Sequence, residues 1–496
     1  MVTLEQEPKY KLMPVGSPIP FTVYHDPTIQ NKFKIKYTAQ VFVHTKTSAS
    51  LTNIENRIAV LKVTPNGAGK GIFDLAPILE NYVSPDYEGG QTISDDPTFK
   101  SQYNTVEYSE FEPHTIHQID KFCCNQNSVR FFYILFNVEA ADTATGQVTQ
   151  QTSDKHAGSY LIYNGVLYDT DILKLDSSGN YGYNLDQDVN SNGIYSNFIL
   201  NNTVARFLTN APRFIKAGNV SEQYIQYVRD NDYLTLAFFS QYNSDFVVAD
   251  SGTLNAVKGI RTRFYYNGSI NVSNIRQLGG SAGGHYGYIG DSNVKLQYVG
   301  VGLGNLDASG VPIPANWDYY TVHAEDDASS IISDTYYFYP QVDDCKGFET
   351  IRLTWLNKFG VWDYYNFTKK SVRSFNTKRK SYTQITGSWN GNRHMLDGHT
   401  GGKKHYNTSV SEKIKLNTDY ITESEAVWLE ELFISNEVYI LESKSTDSTI
   451  EGYIRKYIKP ALITNSTHTR KTKANDRLIQ YTFEVETTKT KKTQKI

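Results

Sequence analysis

The chain has 496 residues, with 49 Lys and Arg against 52 Asp and Glu, three cysteines, and 37 Tyr and 24 Phe against 3 Met. A formal charge of -3 and a pI near 6.4 exclude a protein drawn as a whole to nucleic acid. Adjacent Cys123 and Cys124 with a distant Cys345 exclude a disulfide scaffold and fit folding in a reducing cytoplasm.

That length allows about three domains, and the Tyr and Phe content, with Asn, Thr, Ser and Gly in the connections, is β-protein chemistry. No apolar run approaches the ~18 residues that span a bilayer. The N-terminal MVTLEQEPKYKLMP lacks the apolar centre of a signal peptide, so no membrane step is expected.

In chain order, Phe33 to Val43 alternates apolar and polar residues in register and is predicted to be a strand with one buried face. A partner is expected at Ile58 to Val63, then a Pro65-Asn66-Gly67 turn and a short helix around Asp74 to Tyr82. Residues 1-125 are read as one β-sandwich. Residues 126-345 are read as a larger one, with strands at Val129 to Val138, Tyr160 to Tyr168, Tyr233 to Phe239, Phe246 to Ala249, Ile260 to Tyr266, Val294 to Val301 and Tyr319 to His323. Asn164-Gly165 and Asn267-Gly268 are preferred hairpin-turn dipeptides. Asp142 to Gly158, Asp186 to Asn197 and Gly279 to Gly290 are polar, Gly- and Asn-rich loops, expected to bind or to order against a neighbour.

Residues 346-496 form the third domain. Its hairpin IRLTWLNKFGVWDYYNF, Ile351 to Phe367, carries large apolar side chains on both faces of its second strand: Val361, Tyr365 and Phe367 on one, Trp362 and Tyr364 on the other. Four such aromatics hide on the order of 600 Å², worth roughly 15 kcal/mol gross. A lone domain rarely exposes that much, so the hairpin is expected between sheets or between subunits. Trp355, Phe359, Trp362, Tyr364, Tyr365 and Phe367 are the interface candidates. Thr422 to Glu425 is a capping box that opens a helix running to about Ile434. Strands follow at Val438 to Leu441, Tyr453 to Ile458 and Ile479 to Val485, and the tail Thr487 to Ile496 is expected to be disordered or to dock elsewhere. The fold class is mainly β: several sandwich or barrel domains, long loops and one or two short helices.

No catalytic or cofactor-binding constellation emerges. Thr64 to Gly71 lacks the first Gly and the terminal Ser or Thr of a phosphate loop and reads as a turn. GGSAGGHYGYIG has no strand-then-helix frame for a dinucleotide. Asp188, Asn190 and Asn192 reproduce the front half of a calcium loop, but Ile199 stands where the bidentate Glu belongs. His394, His399 and His405 lie in a Gly-rich loop with no ligand spacing. Asp326-Asp327 and Asp343-Asp344 are read as surface turns rather than a glycosidase pair. Lys369, Lys370, Arg373, Lys378, Arg379 and Lys380, interleaved with Phe375 and Tyr382, suit a lysine-protected strand edge, or transient contact with DNA in a channel.

Three stretches, Arg57 to Val83, Phe207 to Phe239 (with LTNAPRF and DNDYLTLAFF), and TWLNKFGVWDYYNF with KYIKPALIT and NDRLIQYTFEVE, resemble virion structural proteins of tailed bacteriophages of Bacteroidetes and aquatic bacteria, including relatives of crAss-like phages. The resemblance spans most of the chain and its motifs are not catalytic. It implies a tail-associated component without enzyme activity or cofactor, folded in the host cytoplasm. Its expected place is a symmetric ring or hub of its own copies, or an adaptor to tube, hub or fibre proteins. A receptor- or glycan-binding fibre module is the second expectation, although no shaft-like repeat is present.

Overall fold

A computed structural model describes residues 2-8, 12-25, 27-44, 56-85, 116, 122-124, 128-166, 200, 203, 205-214, 222-230, 232-239, 257, 259-277, 296-308, 311-326, 328-341, 348-441, 458-465, 479-488 and 491-492. The protein is mainly β, with three short α-helices among these residues. It divides into two compact units, residues 1-341 with 357-363, and residues 342-356 with 364-496.

Within the first unit, a three-stranded sheet (Val2–Gln6, Pro20–His25, Lys70–Asp74) faces a six-stranded one. The larger sheet runs in the order Leu12–Pro14, Lys155–Tyr163, Val129–Ala141, Phe33–His44, Arg57–Val63, with Thr149–Gln150 on Val129–Ala141. Alternation supplies the core between them: Tyr37, Ala39 and Val41 from one strand, Phe132, Ile134 and Phe136 from its neighbour, Phe21, Val23 and Phe73 from the facing sheet. Phe21 meets Phe136 at 5.8 Å and Tyr160 edge-on at 5.4 Å.

The break expected at residue 125 does not separate two sheets. Val129–Ala141 pairs with Phe33–His44 over most of both strands, and Phe122–Cys124 pairs forward with Leu296–Gly300. Each strand finds its apolar match in the other block, and local composition does not record that pairing. Most of the stretch expected as a loop at Asp142 to Gly158 is loop, but Thr149 and Gln150 pair with Ala140 and Glu139, and Lys155 begins the next long strand.

A second pair of sheets follows in the same unit. Six strands run Arg213–Phe214, Gln223–Val228, Tyr336–Pro340, Tyr319–Glu325, Gly259–Tyr266, Ser269–Gln277, and three run Thr235–Phe239, Leu296–Gly300, Phe122–Cys124. Asn267 and Gly268, with φ of 50° and 76°, turn Gly259–Tyr266 into Ser269–Gln277, as that dipeptide predicts.

The second unit is one eight-stranded sheet. Its order is Trp362–Phe367 (of which residues 364-367 belong to this unit), Ile351–Leu356, Val438–Leu441, Ile458–Ile463, Thr482–Thr487, Gly402–Asn417, Val372–Gln384, with Lys491–Lys492 on Gly402–Asn417. The helix Glu423–Ile434 begins at the expected capping box: Thr422 Oγ1 accepts from Glu425 N at 3.2 Å, and Thr422 N donates to the Glu425 carboxylate at 2.8 Å. Trp428 from this helix packs on Trp355 at 5.3 Å and on Tyr365 at 5.9 Å. Part of the C-terminal tail docks on the sheet, with Lys492 opposite Ser409.

Candidate interaction site

The sheet of the second unit narrows toward one end. Thr482–Thr487 leaves Gly402–Asn417 at Lys413, and Lys491–Lys492 flanks only Ser409 and Val410. Beyond them, residues 379-384 and 402-408 pair only with each other among the described residues. No residue of Val372–Gln384 is buried, and the first buried residue of Gly402–Asn417 is Ile414. An isolated two-stranded ribbon is marginal in water and buries nothing that would hold it.

Residues 372-417 carry nine Lys and Arg against two Asp and Glu, a net +7. At the base the charges are satisfied: Arg373 donates to Glu349 and to Glu412, both at 2.7 Å, and Lys413 lies 3.7 Å from Glu486. Hydrogen bonds and ion pairs with the two carboxylates raise the Arg373 pKa against the pull of burial. Farther out, Lys378, Arg379, Lys380, Arg393 and Lys403 have no carboxylate partner among the described residues. Cross-strand pairing places Lys378 opposite Ser409 and Lys380 opposite Asn407. A bulge then slips the register so that Ser381 meets His405, and Tyr382 stands edge-on to Tyr406 at 6.2 Å.

The tip is a small hairpin, Ser388–Trp389 against His394–Met395. Several of its polar groups are spent internally. Ser388 Oγ donates to Asp397 at 2.6 Å, Thr400 Oγ1 accepts from Gly387 N at 2.8 Å, and Asn390 Oδ1 accepts from the backbone N–H of Asn392 and Arg393. The apolar side chains stay outside: Ile385 is 80% exposed, Leu396 79% and Trp389 67%. A solvated loop does the reverse, and an ordered tip that presents its largest apolar groups has the composition of an interface centre.

The six aromatic candidates lie elsewhere. Trp355, Phe359, Trp362, Tyr364 and Phe367 are all buried and Tyr365 is half-buried, so this chain covers them itself. Trp355 and Tyr365 are covered by the helix, and Phe367 meets Phe483 at 5.2 Å. Tyr364 takes the Arg352 guanidinium at 5.1 Å. Phe359 and Trp362 belong to the first unit, where the turn is locked: Asn357 Nδ2 donates to Leu208 O at 3.0 Å and Thr209 Oγ1 donates to Asp363 at 2.6 Å. The two-sided pattern marks core, not subunit contact, because the strand is covered within its own chain.

Among the described residues, the remaining candidates are not brought together into one site. Asp188, Asn190 and Asn192, the Gly279 to Gly290 run, Asp327, Asp343, Asp344 and Cys345 lie outside the described residues. Asp326 caps a turn through Ser330 N at 2.7 Å. Asn66 Oδ1 closes the Thr64 to Gly71 turn by accepting from Ala68 and Lys70, and Lys70 pairs with Glu5 at 2.5 Å. His394, His399 and His405 are on the arm, and no cluster of three metal-ligating residues occurs among the described residues.

A second surface lies on one face of the six-stranded sheet in the first unit. Tyr265 stacks on Tyr319 at 4.6 Å, Tyr319 meets Tyr339 at 5.3 Å and Tyr337 at 5.9 Å, and Tyr339 meets the half-exposed Tyr227 at 6.3 Å. Burial pushes Tyr339 up to about 12, with neighbouring tyrosines adding, so its hydroxyl stays neutral.

Farther along the strands that carry Tyr265 and Tyr319, Arg261 grips Glu325 through Nε at 2.5 Å and Nη2 at 2.7 Å; Arg263 stands 3.5 Å away and His323 Nε2 donates to the carboxylate at 3.1 Å. Burial lowers the His323 pKa below its ordinary 6.5, the Glu325 hydrogen bond opposing it. Burial alone would raise Glu325, but hydrogen bonds from Arg261 and His323 hold it below its ordinary 4.5. Both groups bind protons less readily folded than unfolded. Stability is therefore expected to fall as the pH drops below about 6.5, through His323, and again below about 4.5, through Glu325. Urea midpoints between pH 8 and 4 check this. His323→Gln should remove the upper step, and a flat midpoint from pH 7.5 to 5.5 would contradict it.

No known family's sequence profile matches the chain, and no curated protein matches it. Among solved structures, Escherichia coli alpha-2-macroglobulin in its native conformation is similar at 10% identity over 84% of this chain and 21% of that one, with a TM-score of 0.17. Salmonella alpha-2-macroglobulin reacted with methylamine is similar at 9% identity over 100% of this chain and 31% of that one, with a TM-score of 0.16. The chain spans less than a third of either, and the likeness carries no functional argument.

Proposed function

We propose that this chain is a structural subunit of a bacteriophage virion, a tail ring, hub or adaptor component that works by holding neighbours together. The arm at residues 372-417 carries the assembly half of this reading: an ordered ribbon exposed on both faces, with unpaired cations along it and apolar side chains at its tip, gains its stability from whatever covers it. The virion half rests on the sequence resemblance. Mass spectrometry and an antibody against the arm, applied to gradient-purified particles, test it. The chain should be present in a fixed copy number at the tail. Its confinement to the soluble fraction of infected cells would overturn the reading.

The tyrosine face favours a second reading, a glycan-binding module, because stacked phenol rings beside Arg and Glu suit sugar rings and hydroxyls. Saturable binding of host polysaccharide, lost in Tyr227→Ala and Tyr319→Ala, would establish it.

A further inference from the structure

The two units carry opposite charge. Residues 1-341 with 357-363 hold 24 Lys and Arg against 35 Asp and Glu, a formal -11, whereas residues 342-356 with 364-496 hold 25 against 17, a formal +8. The near-neutral total conceals this split. Seven of the eight net positive charges sit on residues 372-417. In the first unit Glu222, Asp230 and Asp307 are exposed carboxylates with no cation partner among the described residues.

We infer that the arm of one copy docks on the acidic first unit of a second copy of this chain, so that copies join head to tail. The inference rests on the assembly reading above and names the partner. Like charge argues against the alternative in which two arms pair with each other about a two-fold axis, because each brings +7. The tip argues against nucleic acid: Ile385, Trp389 and Leu396 meet no complement on a phosphate backbone but fill the centre of a protein interface. Lysines and arginines then steer and register the contact, and the apolar tip supplies the burial. A contact between two different patches leaves a free arm at one end and a free acceptor at the other. Repetition closes a ring if the rotation allows and gives a filament if it does not.

The test uses the full chain in analytical ultracentrifugation, with circular dichroism and a melting curve as controls that each variant folds. Wild type should form multimers that dissociate as salt rises from roughly 0.05 to 0.5 M, where screening shortens from about 14 to 4 Å. The triple substitution Lys378→Glu, Lys380→Glu, Lys404→Glu should weaken self-association at least about tenfold, and so, separately, should Trp389→Ser with Leu396→Ser. All five positions lie on the exposed arm, so the melting curves should match wild type. The triple variant lacks the donor but keeps the acceptor, so adding it to wild type should shorten the multimers by capping them.

Three results overturn the inference: a wild type that remains monomeric at every concentration, multimers that both variants leave unchanged, and charge reversal that abolishes retention on duplex DNA while self-association persists. The first, together with detection in purified particles, would sink head-to-tail docking alone. Absence from particles with intact self-association would sink the virion reading alone.

Discussion

Gly360→Ala should leave the first unit unfolded or insoluble, whereas Gly268→Ala should cost only about 1–2 kcal/mol. Both glycines sit in hairpin turns at positive φ, 73° and 76°, and both substitutions place a side chain in the left-handed region. Their surroundings differ. A Cβ at Gly268 meets nothing within 4 Å, but a Cβ at Gly360 would stand 1.6 Å from the Asn164 carbonyl oxygen, a backbone atom that cannot swing aside. The contact also breaks a network. Gly360 N donates to Asn357 O at 2.9 Å, Asn357 Oδ1 accepts from Phe359 and Val361, and Val166 N donates to Lys358 O at 2.7 Å. Thermal unfolding of the two variants side by side separates the dihedral cost, common to both, from the collision. Equal losses would mean that the turn at residues 357-360 does not lie against Asn164.

Trp355→Ala should destabilise the second unit by about 3–5 kcal/mol, the usual cost of emptying a buried aromatic site. Trp355 is fully buried, and the cavity would open beneath Trp428 on the helix Glu423–Ile434, loosening it from the sheet. Trp355→Phe should cost much less than Ala. It keeps most of the ring and removes an indole N–H that has no hydrogen-bond partner among the described residues, a buried donor whose desolvation is costly. Urea unfolding followed by circular dichroism measures both. If Trp355→Ala were as stable as wild type while particles failed to assemble, the residue would be an interface anchor, as its place in the sequence suggested, and the core assignment would fall.

Much of the local structure was legible because its causes are local. The Thr422-x-x-Glu425 box set the start of the helix, since both reciprocal bonds lie within one turn of chain. Asn267-Gly268 set a hairpin because few residue pairs hold two successive positive φ values. The alternation at Phe33 to Val43 set a strand with a buried face, and the buried Tyr37, Ala39 and Val41 fall on it. The interaction arm was half legible. The basic run from Lys369 to Lys380 stands out in the sequence, but nothing local says that its partner is Gly402–Asn417, carrying Lys403, Lys404 and Lys413. The charge split between the units was hidden because its members are scattered over hundreds of residues and cancel in the sum.

By itself the sequence determined that this is a β-rich chain with one well-capped helix in its last third and turn positions that only glycine or asparagine suits. Those follow from propensity, spacing and side-chain chemistry over a few residues. Tertiary structure alone decided which apolar groups are covered. It buried the aromatic hairpin of Trp355 and Trp362 within this chain, and it left Ile385, Trp389 and Leu396 outside on a ribbon that no described element backs. Burial depends on what packs across a strand from distant parts of the chain, and alternation records which side chains share a face without recording whether anything lies against it.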